Sequence, residues 1–146
     1  MHKATFRKAE RLKHKRVIEV LFERGKTYKD YPLVLTCLKC SLHTPYPAQT
    51  AVTVSKRRFK KAVDRNRIKR LMRESWRKQK QPLYAALEQN DFQLALVFIY
   101  VGKDLPTQNQ MDVKISALTK RLIEDIPNFP LSHSFRKDSK DAEETS

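Results

Sequence analysis

A chain of 146 residues is long enough to bury a real core without disulfide or metal staples. Its 31 lysines and arginines stand against 16 aspartates and glutamates, a net charge of +15 with a pI near 10, and a field of that sign and size favours a polyanionic partner over self-association. The longest apolar run, LALVFIYV at 94–101, is far short of the roughly 20 residues that span a bilayer, and the opening MHKATFRKAERLKHKR holds no apolar signal-peptide segment, so membrane functions are set aside and a cytoplasmic location is expected.

In chain order, residues 15–23 read as a short helix: Val17, Val20 and Leu21 share one face, Ile18 and Phe22 lie beside it, and Gly25 ends it. A strand is expected over 33–38. The stretch SLHTPYP, 41–47, is a turn, because its two prolines exclude a strand interior. QTAVTVSK, 49–56, alternates and is rich in β-branched residues, so it reads as a second strand and as the hairpin partner of the first. A strongly basic helix comes next and is expected to end before Pro82. FQLALVFIY, 92–100, is apolar on both alternating faces, the pattern of a central strand covered on each side. Beyond a loop with Gly102 and Pro106, a last helix carries Met111, Ile115, Leu118, Leu122 and Ile126, and Pro127 and Pro130 stop it. The end, SHSFRKDSKDAEETS, is polar and mixed in charge, which divides the chain into one domain, 1–131, and a disordered tail, 132–146. Helix, strands, helix, strand, helix is the order of an α+β domain.

Two cysteines, Cys37 and Cys40 in CLKC, lack the second pair that a zinc site requires. Residues three apart in a strand point to opposite faces, so both are expected as structural thiols. The histidines His2, His14, His43 and His133 show no ligand spacing. Neither a metal site nor a catalytic residue is expected on the protein.

The basic helix is where the charge concentrates: residues 55–80 hold 13 basic and 2 acidic side chains, a local net of +11. On a wheel of about 100° per residue, Ile68, Leu71, Met72, Ser75 and Trp76 fall on one arc, and Asn66, Lys69, Arg70, Arg73 and Arg77 on the opposite one. Arg67 lies further round and Arg65 near the apolar edge. Solvated helix faces mix signs for solubility and i,i+4 pairing, whereas this one is nearly single-signed, which points to phosphate binding. The preceding loop, SKRRFKK, extends the face with Lys56, Arg57, Arg58, Lys60 and Lys61. Arginine can grip two phosphate oxygens with its planar fork, and lysine adds a less directional charge.

The run TVSKRRFKKAVDRNRIKRLMRESWR resembles the protein subunit of bacterial ribonuclease P, a family marked by R-N-R-x-K-R-x-x-R after a serine-lysine strand end. Here these are Arg65, Asn66, Arg67, Lys69, Arg70 and Arg73, preceded by Ser55 and Lys56, and the resemblance runs over roughly 6–126. It implies a small α/β sandwich of the kind shared with a ribosomal protein domain, with a left-handed βαβ crossover that contradicts the usual handedness. It also implies a catalytic RNA that cleaves precursor tRNA with Mg2+ held mainly by RNA, one protein per RNA, the motif residues on the RNA and the 5′ leader in a cleft beside the first helix. Phe22 matches a family aromatic in that cleft. Ile18 stands where an aromatic is common, and Phe59 falls near a frequent family glycine, two departures from the pattern. Tyr28, Tyr31 and Phe59 are second-rank ring contacts.

Three other readings stay open at this level. A structural RNA-binding protein such as a ribosome component fits the charge and fold equally well. A DNA-binding regulator would place the basic helix in a major groove, although strands rather than a helix precede it. A self-sufficient nuclease would need positioned acid and base groups, and the acids here are scattered; Asp64, at the helix start, suits the macrodipole.

Overall fold

The computed structural model describes residues 5–129. A 3-10 turn at Lys8–Glu10 leads into α1, Lys15–Arg24; then come β1, Lys26–Asp30, β2, Leu33–Lys39, and β3, Ala48–Val54. After them follow α2, Ala62–Gln79, α3, Gln81–Gln89, β4, Leu94–Tyr100, and α4, Gln108–Asp125, closed by a 3-10 turn at Ile126–Asn128. The four strands form one mixed sheet in the order β1-β2-β4-β3, an α+β fold as expected.

The apolar strand β4 is central. It runs antiparallel to β2 and parallel to β3, and only Ile99 of its seven residues is not fully buried. The expected hairpin between 33–38 and 49–56 does not form. β2 instead pairs with β1 through the turn at Tyr31 and Pro32, and β3 lies on the far side of β4. The link between β2 and β3 crosses the start of β4, where the Gln93 amide fixes it: Oε1 accepts from Leu42 N at 2.7 Å, and Nε2 donates to the carbonyls of Thr44 and Tyr46 at 3.0 and 2.8 Å. A fully apolar strand needs a neighbour on both edges, and β4 takes the two best strands from each other.

Two further elements were not expected. KTYKD, β1, has Tyr28 as its one buried residue, so it lacks the apolar run that marks a strand. α3 begins with Gln81 and Pro82; proline ends a helix from within but is tolerated in the first turn, where its missing N–H has no partner to lose.

Helices cover both sides of the sheet unequally. The larger core joins Ile68, Met72 and Trp76 of α2, Leu83, Tyr84 and Leu87 of α3, and Met111, Ile115, Leu118 and Leu122 of α4 to Leu33, Leu35, Leu96 and Phe98 of the sheet. Trp76 meets Phe98 with ring centroids 5.3 Å apart. On the other face α1 alone sets Val17, Val20 and Leu21 against Leu38, Cys40, Ala95 and Val97. Cys37 belongs to the first core and Cys40 to the second, so the strand alternation does send the two thiols to opposite faces, and both are free. α1 must turn sharply into β1, and Gly25 permits it: a Cβ there would lie 2.5 Å from the Leu21 carbonyl oxygen and 2.6 Å from that of Cys37. α4 starts on a capping box in which Gln110 N donates to Thr107 Oγ1 at 3.1 Å and Thr107 N to Gln110 Oε1 at 3.0 Å.

Candidate nucleic-acid interface

Along α2 the apolar stripe falls as the wheel places it. Ile68, Met72, Ser75 and Trp76 are buried, and Leu71 packs at the core margin. α4 seals this side through Gln108 Nε2, which donates to the Leu71 carbonyl at 3.1 Å, and through Gln79 Nε2, which donates to Ser75 Oγ at 2.7 Å and to the Asp112 carbonyl at 3.1 Å. What remains outside is cationic, and the structure sorts it into two groups.

The first group is unpaired. The side chains of Arg67, Lys69 and Arg70 make no hydrogen bond or ion pair among the described residues, and the same holds for the side chains of Lys56, Arg57, Arg58, Lys60 and Lys61 in the loop before the helix. Asn66 lies exposed between Arg65 and Arg67. Phe59 anchors the loop: its ring is buried in the main core 6.1 Å from that of Tyr100, which makes it packing rather than a ring offered to RNA. Arg65 holds the same loop from the helix side, its Nη1 donating to the carbonyls of Phe59 at 2.8 Å and Lys60 at 2.9 Å. A carbonyl leaves the guanidinium charge in place, so Arg65 positions the loop and still adds to its field.

The second group is compensated. Arg77 grips Glu74 with Nε at 3.0 Å and Nη2 at 2.6 Å, and Lys78 reaches Asp112 at 3.1 Å. Lys80, counted by its type with the basic face, is wholly buried and donates to Glu10 and to the Thr5 carbonyl. Glu10 further accepts from the Tyr84 hydroxyl at 2.6 Å and from Arg7 N at 2.9 Å. Burial alone would raise the Glu10 carboxyl, but these hydrogen bonds outweigh it and hold the group below its usual range. This network ties the N-terminal segment to the joint between α2 and α3.

Arg73 belongs to neither group. Burial, and after it the charge of Arg11, holds its guanidinium below the ordinary range. Arg11 comes from the segment before α1, a basic stretch that does not share the helix pattern; its own charge run, FRKAERLKHKR, was the available signal.

On the thinly covered face of the sheet, Phe22 is 52 % exposed, so it is not a core residue, while Ile18 packs against the smaller core, as do Ala51 and Ile99. Tyr28 is buried and donates its hydroxyl to Asp125 at 2.7 Å, whereas Tyr31 is exposed. Burial pushes both cysteine thiols up to about 12, which leaves them protonated and unreactive. Among the described residues no three histidine, cysteine or acidic side chains gather where a metal ion would sit. Asp64 and Glu74 are the only acids of the basic region, and Glu74 is taken by Arg77. These side chains do not make a magnesium cage, which takes oxygen ligands in near-octahedral array.

The family model for Ribonuclease P matches residues 6–122. The chain belongs to the ribonuclease P protein family. A ribonuclease P protein component from Porphyromonas gingivalis is 35 % identical over 125 residues, spanning 86 % of this chain and 89 % of that protein. Another, from Chlorobium phaeobacteroides, is 34 % identical over 128 residues, spanning 81 % and 88 %. The fold agrees with that of the Staphylococcus aureus RNase P protein, at a TM-score of 0.62 and 21 % identity over 79 % of this chain and 96 % of that one. The Thermotoga maritima RNase P protein gives 0.60 and 23 % over 77 % and 96 %. Within the ribonuclease P family frame, Arg65, Asn66, Arg67, Lys69 and Arg70 fall in the first half of α2, where the unpaired cations collect, and Arg73 lies just past its middle. Among the described residues no helix is long and apolar enough to cross a membrane.

Proposed function

We propose that this chain is the RNA-binding subunit that helps ribonuclease P remove the 5′ leader from precursor tRNA. The catalytic RNA is held by the loop cations Lys56, Arg57, Arg58, Lys60 and Lys61 and by Arg65, Asn66, Arg67, Lys69, Arg70 and Arg73 of α2. Arg77 joins them on giving up Glu74. The leader lies along the thinly covered sheet face beside α1, where Phe22 offers an exposed ring to a base and Ile18 an apolar edge; single strands are bound by pairing positive charge with stacking rings. Catalysis resides in the RNA, Mg2+ is bound mainly by RNA, and one protein serves one RNA in the cytoplasm. The protein lowers the repulsion between two polyanions and so matters most when magnesium is scarce.

The observation that carries this reading is the row of Arg67, Lys69 and Arg70 on a helix whose other side is locked into the core, with no carboxylate answering it among the described residues. Such a row repels itself in the free protein and is relieved by phosphate. The test is cleavage of precursor tRNA by the ribonuclease P RNA of the same cell, at low magnesium and physiological salt, with and without the protein. Strong stimulation at the mature 5′ junction, with no cleavage by the protein alone, is expected. Tight RNA binding without stimulation would move the function to a structural RNA-binding role.

A further inference from the structure

Phe22 and Tyr31 are the aromatic members of the exposed large apolar side chains, and Tyr31, 61 % exposed, is the one that the leader reading does not use. Its place is set by the register of the sheet, in which Leu33, Tyr100 and Val54 stand in one row across β2, β4 and β3. The turn that carries Tyr31 enters this row at β2, and the basic loop leaves it at β3, where Ser55 N donates to the Tyr100 carbonyl at 3.3 Å. Two strand spacings separate these points, about 10 Å, so Tyr31 and the start of the cationic run 56–61 share one end of the sheet. The turn is held from both sides. Val101 N donates to the Pro32 carbonyl at 2.8 Å, Lys114 Nζ to Asp30 Oδ1 at 3.0 Å, and Arg121 Nη1 to the Lys29 carbonyl at 2.7 Å. Gly102 lets the exit of β4 lie against it, because a Cβ there would come 2.9 Å from Pro32 Cβ. The Tyr31 side chain itself makes no hydrogen bond or ring contact among the described residues. A packing role would bury the ring, as Tyr28 and Tyr100 are buried. At Tyr31 the backbone is clamped and the ring is left in solvent at the end of the sheet where the unpaired cations begin.

We propose that Tyr31 is a stacking platform for an unpaired base of the ribonuclease P RNA, with the neighbouring phosphates lying on the loop cations Lys56 and Arg57. A ring beside a cationic track is the arrangement that binds single strands, and it tolerates any sequence because every base has a π-face. The base must be unpaired, since a base inside a duplex has both faces covered by its neighbours. A fixed backbone helps, because less freedom is lost when the base arrives. The acids at this end do not stand in the way: Asp30 is answered by Lys114, and exposed Asp104 is offset by exposed Lys103 next to it. The platform rests on the RNA-binding reading above and extends the RNA surface from α2 and the basic loop to the turn between β1 and β2.

The test is binding of the full chain to the ribonuclease P RNA transcript across a salt series, with Tyr31→Ala, Tyr31→Phe and Tyr31→Trp. Stacking predicts that Tyr31→Ala weakens binding about tenfold at every salt concentration with an unchanged slope, because a ring releases no counter-ions. Tyr31→Phe should bind like wild type, and a loss there as large as in Tyr31→Ala would assign the contact to the hydroxyl and overturn the platform. Tyr31→Trp should also keep its affinity, and RNA should quench the exposed indole it introduces, against a constant background from the wholly buried Trp76. An indole that RNA leaves unquenched would likewise overturn it. The ring is exposed, so thermal midpoints of the free variants should match wild type. The double change Arg67→Gln/Arg70→Gln is the control. If that control loses affinity and slope while Tyr31→Ala loses neither, the platform alone is wrong; if no variant loses affinity, the RNA-binding reading falls and the platform with it.

Discussion

The two halves of α2 carry the same residue types to opposite ends. In the first half, the side chains of Arg67, Lys69 and Arg70 have no partner among the described residues; towards the other end and just past it, Arg77, Lys78 and Lys80 are each answered by a carboxylate, on Glu74, Asp112 and Glu10. A cation that the fold has matched is part of the scaffold, and one it has left unmatched stores repulsion that only an external anion relieves. Residue type and spacing group the two halves together, and only the positions of the acids separate them. Two of those acids, Glu10 and Asp112, are remote in sequence.

The contrast is broken most severely at Lys80. Lys80→Met leaves Glu10 buried with a lost counter-ion and should cost about 3–5 kcal/mol in urea unfolding, with RNA affinity of the folded fraction unchanged. Adding Glu10→Leu should restore much of the loss; if it does not, the ion pair is not what joins the N-terminal segment to α3. Acid probes the same pair. Because the folded-state Glu10 carboxyl lies below its unfolded value of 4.5, its contribution is fully present above that pH and is lost as pH falls through the lower folded value. Stability measured from pH 6 down to pH 3 should therefore drop, and the drop should shrink in Glu10→Gln.

Arg65 combines the two roles, since this side chain is both a loop brace and a charge. Arg65→Ala should cost about 1–2 kcal/mol and loosen the amides of residues 55–61 in hydrogen exchange; Arg65→Lys should retain the salt slope of RNA binding better than the loop protection. A smaller effect is expected at Arg77. Arg77→Ala should change the salt slope much less than a substitution in the first half, because wild-type Arg77 must leave Glu74 before it meets phosphate. The smallest change lies outside the helix, at Thr50, whose buried hydroxyl has no hydrogen-bond partner among the described residues. Thr50→Val should stabilise the fold by up to about 1 kcal/mol, and a loss of stability would reveal a partner for that hydroxyl.

Much of this was legible in the chain. The stripe Ile68, Met72 and Trp76, the doubly covered strand β4 and the α4 repeat all follow from periodicity, because burial enforces it. Register between strands did not, since nothing local in 33–38 or 49–56 records that β4 takes the place between them. β1 was missed for want of an apolar run, and α3 because proline marks a helix start as well as a stop. At the site, R-N-R located the unpaired cations. The pairing of Lys78 with Asp112 and the burial of Lys80 against Glu10 are long-range facts, whereas Arg77 finds Glu74 three residues away on the same helix.

The central claim is that the unmatched half of α2 binds RNA without being needed for the fold. It is tested most directly by the salt dependence of affinity for the ribonuclease P RNA, measured for wild type and for Arg67→Ala/Arg70→Ala with thermal unfolding alongside. Loss of about 1.4 to 1.8 in the salt slope with an unfolding midpoint at or above that of wild type is the predicted result. An unchanged slope in a folded variant would contradict it.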